Sequence, residues 1–232
     1  MNFDKLISQG YDFNIGRYIS EGFTLFKKDI GGFIIATLLA IVMSFIPFCS
    51  LLAVGNFYKI CKKVDEGQSV QAGDIFDFTD FWMYFKLFFL ILLAVIILMI
   101  PVQITIIPII AAAKGAGENI NIAMLLGGMG MWFVLFLLFI FAFTVSLYFV
   151  QPIISLHKIQ SVRQAYLLSW KIAKKNFFMI LIFSIIVGII SQLGIIVCGV
   201  GLLFTAPIGI CIKYISFKDV LNTQNQKAGL YE

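Results

Sequence analysis

Charge is scarce in this chain: Asp, Glu, Lys and Arg make up 12 % of its 232 residues, against about a quarter in soluble domains. A water-soluble protein of this size would lack the polar side chains to cover its own surface. Histidine occurs once, at His157 beside Lys158, which excludes a His-built zinc centre and the HExxH helix. The four cysteines form no CxxC pair and no CxxCH motif, and neither a phosphate-binding glycine loop nor a nucleophile elbow is present. No Ser, His, Cys or carboxylate set converges, so no enzymatic role, metal or cofactor is expected. The net charge of +5 is spread along the chain rather than gathered in a basic domain, which argues against nucleic-acid binding.

What the chain has in abundance is apolar length. Hydrophobic residues make up 61 %, with 25 phenylalanines, and neither 87–113 nor 119–156 contains a charged residue. Runs of at least about 18 such residues read as membrane spans. The opening residues carry Asp4, Asp12 and Glu21 and lack the continuous apolar core of a signal peptide, so insertion is expected to begin with the first span. The apolar segments are Ile30 to Phe48, Leu51 to Ile60, Met83 to about Ile110, Ile122 to about Leu156, Phe177 to Gly194, and Ile195 to about Ile212. The second is short for a core of about 30 Å, and a tilted continuation through Lys62 and Lys63 completes it if those lysines snorkel.

Six crossings with a cytoplasmic N-terminus put every basic residue except Lys114 on the cytoplasmic side, a strong positive-inside bias. The expected fold class is therefore all-α: a polytopic membrane helix bundle with six spans, interfacial amphipathic helices and both termini cytoplasmic. A single integral membrane domain covers 1–222, and 223–232 forms a polar C-terminal tail. Outer turns are short, at 47–50, 115–119 and 193–199, while the cytoplasmic side carries the connector 61–81 and the segment 157–176.

An internal repeat is expected. Ile15, Ile19, Phe23, Phe26 and Ile30 share the spacing of Val162, Tyr166, Trp170, Ala173 and Phe177 at an offset of 147 residues, which also brings Lys27 and Lys28 onto Lys174 and Lys175. Repeat-like halves fall at about 15–66 and 162–219, each an amphipathic helix along the interface followed by a hairpin through the bilayer. Lysine stems cover lipid while their ammonium groups reach anionic headgroups. Lys27, Lys28, Lys62, Lys63, Trp170, Lys171, Lys174 and Lys175 are thus the candidate headgroup contacts.

Inside the bilayer, Pro101 and Pro108 interrupt helical hydrogen bonding near Gln103 and Thr105, while Gln151 precedes Pro152 and Thr205 lies two residues before Pro207. Simple kinks are one reading; a substrate or lipid cavity touching Gln103, Thr105, Gln151 and Thr205 is the other. The run 122–156 would measure about 52 Å as one helix, and Gly127, Gly128 and Gly130 mark its outer end as the place to break. Lys86 is expected to snorkel or to pair with Asp80 or Asp77. Cys49 and Cys198 lie near the outer ends of the two hairpins, where a disulfide is geometrically conceivable. The acids of GDIFDFTDF, a short interfacial helix at 73–81, are expected to neutralise the basic segment 158–175.

The phrases FTLFKKDIGGFI, DEGQSVQAGDIFDF and AYLLSWKIAKKNFF resemble a broad bacterial group of multi-spanning membrane proteins. That group includes the membrane domain attached to some glycerophosphoryl diester phosphodiesterases, and the likeness covers most of residues 15–220. It implies a bundle of the cytoplasmic (inner) membrane linked to lipid or envelope processes and supplies no catalytic residue. Two functions remain open: a scaffold or accessory protein binding anionic membrane lipids and a membrane protein partner or a second copy, as a homo-oligomer; and a transporter or channel for a lipid, amphiphile or small solute.

Overall fold

The computed structural model describes residues 12–115, 122–157, 159, 161–196 and 199–229, and among them the chain is helical throughout, with no strand. Three stretches are long and apolar enough to cross a membrane: Phe81–Ile100, Phe133–His157 and Val162–Ile196. A fourth apolar helix, Ile30–Ser44, is shorter.

The helices are α1 (Ile15–Lys28), α2 (Ile30–Ser44), α3 (Pro47–Asp65), α4 (Phe81–Gly115), α5 (Ile122–Leu147), α6 (Val150–His157), α7 (Val162–Ala173), α8 (Phe177–Gln192) and α9 (Leu202–Gly229). Single-turn 3-10 helices occupy Ala72–Phe76, Lys174–Asn176 and Leu193–Ile196. Helix α9 runs to Gly229, so it takes in most of the segment expected to be a polar tail.

Local chemistry sets the helix ends. Asn14 Oδ1 accepts from Arg17 N at 3.0 Å and starts α1. Asp29 closes α1 and opens α2: its Oδ1 accepts from Gly32 N at 2.9 Å and its Oδ2 from Val70 N at 2.8 Å, so the joint is also fastened to the connector after α3. Pro47, expected to lie in the outer turn, is instead the first residue of α3. Its fixed φ suits that position and its missing N–H is not needed there. Helix α3 is one unbroken helix of 19 residues, about 28 Å long.

The break in the long run 122–156 is not at the glycines. Helix α5 continues through Gly127, Gly128 and Gly130 and stops at Leu147, with a turn at Tyr148–Phe149. Pro152 explains this, because its ring would clash with the carbonyl four residues back, that of Tyr148. Ser169 of α7 makes good the lost bonds: its Oγ donates to Ser146 O at 2.8 Å and accepts from Phe149 N at 3.2 Å. Pro101 and Pro108, by contrast, are accommodated within α4.

Three shorter pieces pack against the longer helices in a cyclic order. The 3-10 turn 72–76 lies against α2 and α3, α7 lies against α5 and α6, and α1 closes the ring against α9. Each piece thus covers a helix that ends just before it, with α1 covering the last. Helix α3 sits in the middle, touching α2, α4, α6 and α9, and ten of its nineteen residues are buried. Two glycines permit the closest approaches. A Cβ on Gly22 would stand 2.5 Å from Ile212 Cγ1 and 2.7 Å from Ile212 Cα, and one on Gly55 would collide with the Tyr84 ring.

The buried faces of α1–α2 and α7–α8 coincide at the 147-residue offset. Both pairs of helices begin in register, at Ile15 and Val162 and at Ile30 and Phe177. Tyr18 and Ala165, Gly22 and Ser169, Leu25 and Ile172, Phe33 and Ile180, and Ala36 and Phe183 are all buried. Lys27 and Lys174, Ile35 and Ile182, and Leu38 and Ile185 are all exposed. The stripe facing the interior therefore runs beside the one that apolarity picks out, since Phe23, Tyr166 and Trp170 are each 37 % exposed.

Candidate functional site

Two polar regions stand out, one where charged side chains gather at the ends of α1, α3 and α9, the other inside the bundle. In the first, Asp65 at the end of α3 is gripped from two helices. Lys28 of α1 lies 3.7 Å away, Tyr214 of α9 donates to it at 3.2 Å, and Lys218 of α9 forms a tight ion pair with it. Asp219 pairs with Arg17 at 2.5 Å and accepts from the Tyr18 hydroxyl at 2.7 Å. Burial and the Asp219 charge together push the Tyr18 phenol upwards from its ordinary pKa, so it stays a donor. A cleft of about 260 Å³ lies between these groups, with Glu21, Lys28, Asp65, Lys218 and Asp219 on its walls.

The acids of the connector are also paired, and among the described residues their partners are lysines of α3 rather than of the segment 158–175. Lys59 of α3 meets Asp77 at 2.7 Å and Asp80 at 2.6 Å, and Lys63 meets Asp74 at 2.9 Å. The reason is proximity: the connector folds straight back on the helix it leaves. Asn56, fully buried in the middle of α3, holds it there by donating to Ile75 O at 2.8 Å and Asp77 O at 2.9 Å. Partial burial disfavours the Asp77 carboxylate, yet Lys59 and the Thr79 hydroxyl and N–H outweigh it, holding the pKa down to about 2. With Asp77 and Asp80 so engaged, Lys86 is exposed on α4 without an acidic partner among the described residues.

These pairs sort the candidate headgroup contacts. Lys28 and Lys63 are held by Asp65 and Asp74, and Lys62 forms an exposed pair with Glu66 at 3.8 Å. Lys27, Lys171 and Lys174 are exposed, Trp170 is partly so, and Lys175 is half-buried. The joint between each interfacial helix and the helix after it therefore does present cationic groups outwards.

The second region is a cavity of about 300 Å³ walled by α3, α4, α5, α6, α8 and α9. Of the four residues expected to line a cavity, Gln151 does so. Gln103 is exposed on α4, the Thr105 side chain lies outside the described residues, and Thr205 Oγ1 donates to Ser191 O at 2.9 Å, joining α8 to α9. These residues do not form one site. The cavity's polar lining is instead Tyr58, Thr144, Tyr148, Gln151, Ser184 and Lys213. The charge pattern alone counts Lys213 with the rim lysines. Its position five residues before Lys218, more than one helical turn deeper, was the available signal.

Neighbouring polar groups fix the surroundings. Tyr84 donates to Gln151 O at 3.1 Å and accepts from Ser155 Oγ at 2.6 Å, and Tyr148 shares a hydrogen bond with Ser216 at 2.8 Å. Cys49, Cys61 and Cys211 are buried free thiols, with Cys61 and Cys211 Sγ atoms 3.7 Å apart across the α3–α9 contact. Cys198 lies outside the described residues, as do Lys114 and Glu118 in their side chains. Among the described residues no cluster of His, Cys, Asp or Glu has the arrangement of a metal site. No family model, no curated protein and no solved structure matches the chain.

Proposed function

We propose that this is a multi-pass protein of the cytoplasmic membrane, with both termini in the cytoplasm. In this reading it works without catalysis, as a scaffold or accessory protein. Its exposed cationic joints hold anionic lipid, and its uncovered apolar helices hold a membrane protein partner or a second copy. The observation that carries the reading is the poor coverage of α4, of whose apolar stretch only 11 % is buried within the chain. At 35 residues and about 52 Å, α4 also exceeds the bilayer core of about 30 Å. Lipid tails alone cannot cover that length unless the helix tilts strongly, whereas a neighbouring protein can.

The likeness to the membrane domain of certain phosphodiesterases belongs to this proposal, as does the duplication of α1–α2 in α7–α8. Matched starts, matched buried positions and the matched exposed pair Lys27 and Lys174 support a duplication; convergence of any two membrane-entry segments would not be expected to match small positions such as Gly22 and Ser169.

Mild detergent extraction tests the central claim. A stoichiometric partner or a defined oligomer is the expected result, and repeated recovery of a lone protomer counts against it. Orientation is read separately by single cysteines: a label at position 118 should react only from outside, and one near position 63 only from the cytoplasm. The cavity favours a second reading, passage of a lipid or amphiphile through the bundle. Absence of flux from reconstituted vesicles, with a cavity that never opens to both sides, would end it.

A further inference from the structure

We propose that the cavity around Lys213 is a binding site for the anionic headgroup, phosphate or carboxylate, of an amphiphile whose hydrocarbon portion leaves the bundle past Thr144. The first argument is electrostatic. The half-buried lysines of α3 each have a carboxylate, Lys59 with Asp77 and Asp80 and Lys63 with Asp74, and even the exposed Lys218 of α9 has Asp65. Lys213 has no ion pair among the described residues, and no Asp or Glu lines its cavity. An ammonium group held among helices away from water is costly unless an anion accompanies it, and such groups in membrane proteins mark ligand or ion positions.

The second argument is the inventory of hydrogen-bond donors. Ser184 Oγ is buried on the cavity wall with no partner. The Tyr58 hydroxyl, on a side chain 2 % exposed, also has no partner among the described residues. Gln151 brings an amide to the same space. Two hydroxyls, an amide and an ammonium group converge without a single carboxylate, which is a set that accepts an anion and repels no part of it.

Size and greasiness then choose the ligand class. A volume of about 300 Å³ is at the small end for ligand pockets, enough for a headgroup and the first methylenes. Leu51, Leu87, Ile91 and Leu147 supply the apolar wall, and Thr144, also on the wall, is exposed at the surface of the bundle. The whole of a two-chain lipid does not fit inside, but its tail has no need to, because it can lie in the surrounding bilayer. The site is separate from the exposed cationic joints and stands or falls independently of any partner.

The test uses the full chain in a neutral maltoside detergent, with dodecyl phosphate as probe, inorganic phosphate as the tail-less control and dodecyltrimethylammonium as the cationic control. Saturable binding is followed through the melting midpoint and by calorimetry. The expected result is that dodecyl phosphate binds and raises the midpoint, while the cationic control does neither. Lys213→Met should weaken dodecyl phosphate by roughly tenfold to a hundredfold, the scale of one lost hydrogen bond to a charged group. Lys213→Arg should restore most of the affinity. Lys213→Met is expected to fold, since replacing an unpaired buried charge by an apolar group of similar length is neutral or stabilising. If it does not fold, Ser184→Ala combined with Gln151→Leu serves instead, with the same direction of effect. Equal binding by the parent and Lys213→Met overturns the proposal. Equal affinities for inorganic and dodecyl phosphate overturn the amphiphile, because the tail then adds nothing.

Discussion

Replacing Asn56 with alanine tests how the connector is held against the bundle. The amide is fully buried at the centre of α3 and donates to two carbonyls, Ile75 O at 2.8 Å and Asp77 O at 2.9 Å. Alanine removes both donated bonds and leaves the two carbonyls without that partner. Losing the Ile75 bond strands a buried acceptor and costs about 1–3 kcal/mol, and losing the Asp77 bond costs about 1 kcal/mol net. The total is about 2–4 kcal/mol, because the Asp77 carbonyl is only partly buried and water can reach it. At roughly 2–4 °C per kcal/mol for a chain of this size, the midpoint should fall by about 4–16 °C.

The buried thiols at Cys49, Cys61 and Cys211 supply the assay. A maleimide dye that fluoresces on reaction reports their exposure as the detergent-solubilised protein is heated. Asn56→Asp should be worse than alanine, since a carboxylate would meet the same two carbonyls as an acceptor against acceptors. A midpoint within about 1 °C of the parent for both variants would refute the reasoning, as it would mean that the connector contributes nothing measurable to the packing of α3.

Three further outcomes are expected. Gly22→Ala places a Cβ 2.7 Å from the backbone of Ile212, so α1 must move off α9 at a cost of about 1–3 kcal/mol; an unchanged thiol-exposure midpoint would speak against the close approach. Mild oxidation should link Cys61 to Cys211, whose sulfurs are 3.7 Å apart, giving a loop that runs faster in non-reducing gels; the product must vanish in Cys61→Ser, and its absence in the parent would separate α3 from α9. The Asp77 carboxyl, held down to about 2, contributes stability that is present above the ordinary carboxylate value of about 3.9 and is lost as pH falls from there towards 2. Pepsin should therefore spare the connector at about pH 4.5 and cut it at about pH 2.5, whereas Asp77→Asn should be cut at both; parent protein cut equally at both values contradicts the pairing.

Much of the layout is legible in the chain before any coordinates. The lysine-marked joints and the helix starts at Ile15 and Val162 follow from spacing and composition and are found, whereas the short helix expected over 73–81 is only a 3-10 turn at Ala72–Phe76, with 77–80 not helical. Which face of each helix points inwards does not follow. In water, apolarity identifies the buried stripe, but next to lipid an apolar side chain is equally at home on either face. Phe23 and Trp170 therefore stand outside, and Gly22 and Ser169, which allow backbones to approach, stand inside. The break after Leu147 was hidden for a different reason. Glycines looked like the weak point of a long apolar run, yet the steric clash of Pro152 with the turn before it decides the matter, and Ser169, which completes the broken hydrogen bonds, comes from a helix that sequence spacing cannot place beside it.

Helix α3 carries the same logic to its conclusion. It is much less apolar than α2, α4, α5 and α8, and ranking segments by hydropathy makes it the weakest candidate to span a membrane. It is nonetheless the helix with Asn56, Tyr58 and Cys61 buried on it, while Phe89, Leu93, Ile97 and Phe133 on α4 and α5 are half exposed or more. Polar groups in a bilayer need partners, and partners are found only among other helices. A segment whose polarity would be costly against lipid is thereby driven to the middle, where Asn56 meets the connector, Lys59 meets two carboxylates and Tyr58 reaches the cavity shared with Lys213. The polar groups with partners on other elements therefore gather on the less apolar long helices, α3 and α9, while the most apolar helices leave large apolar side chains exposed.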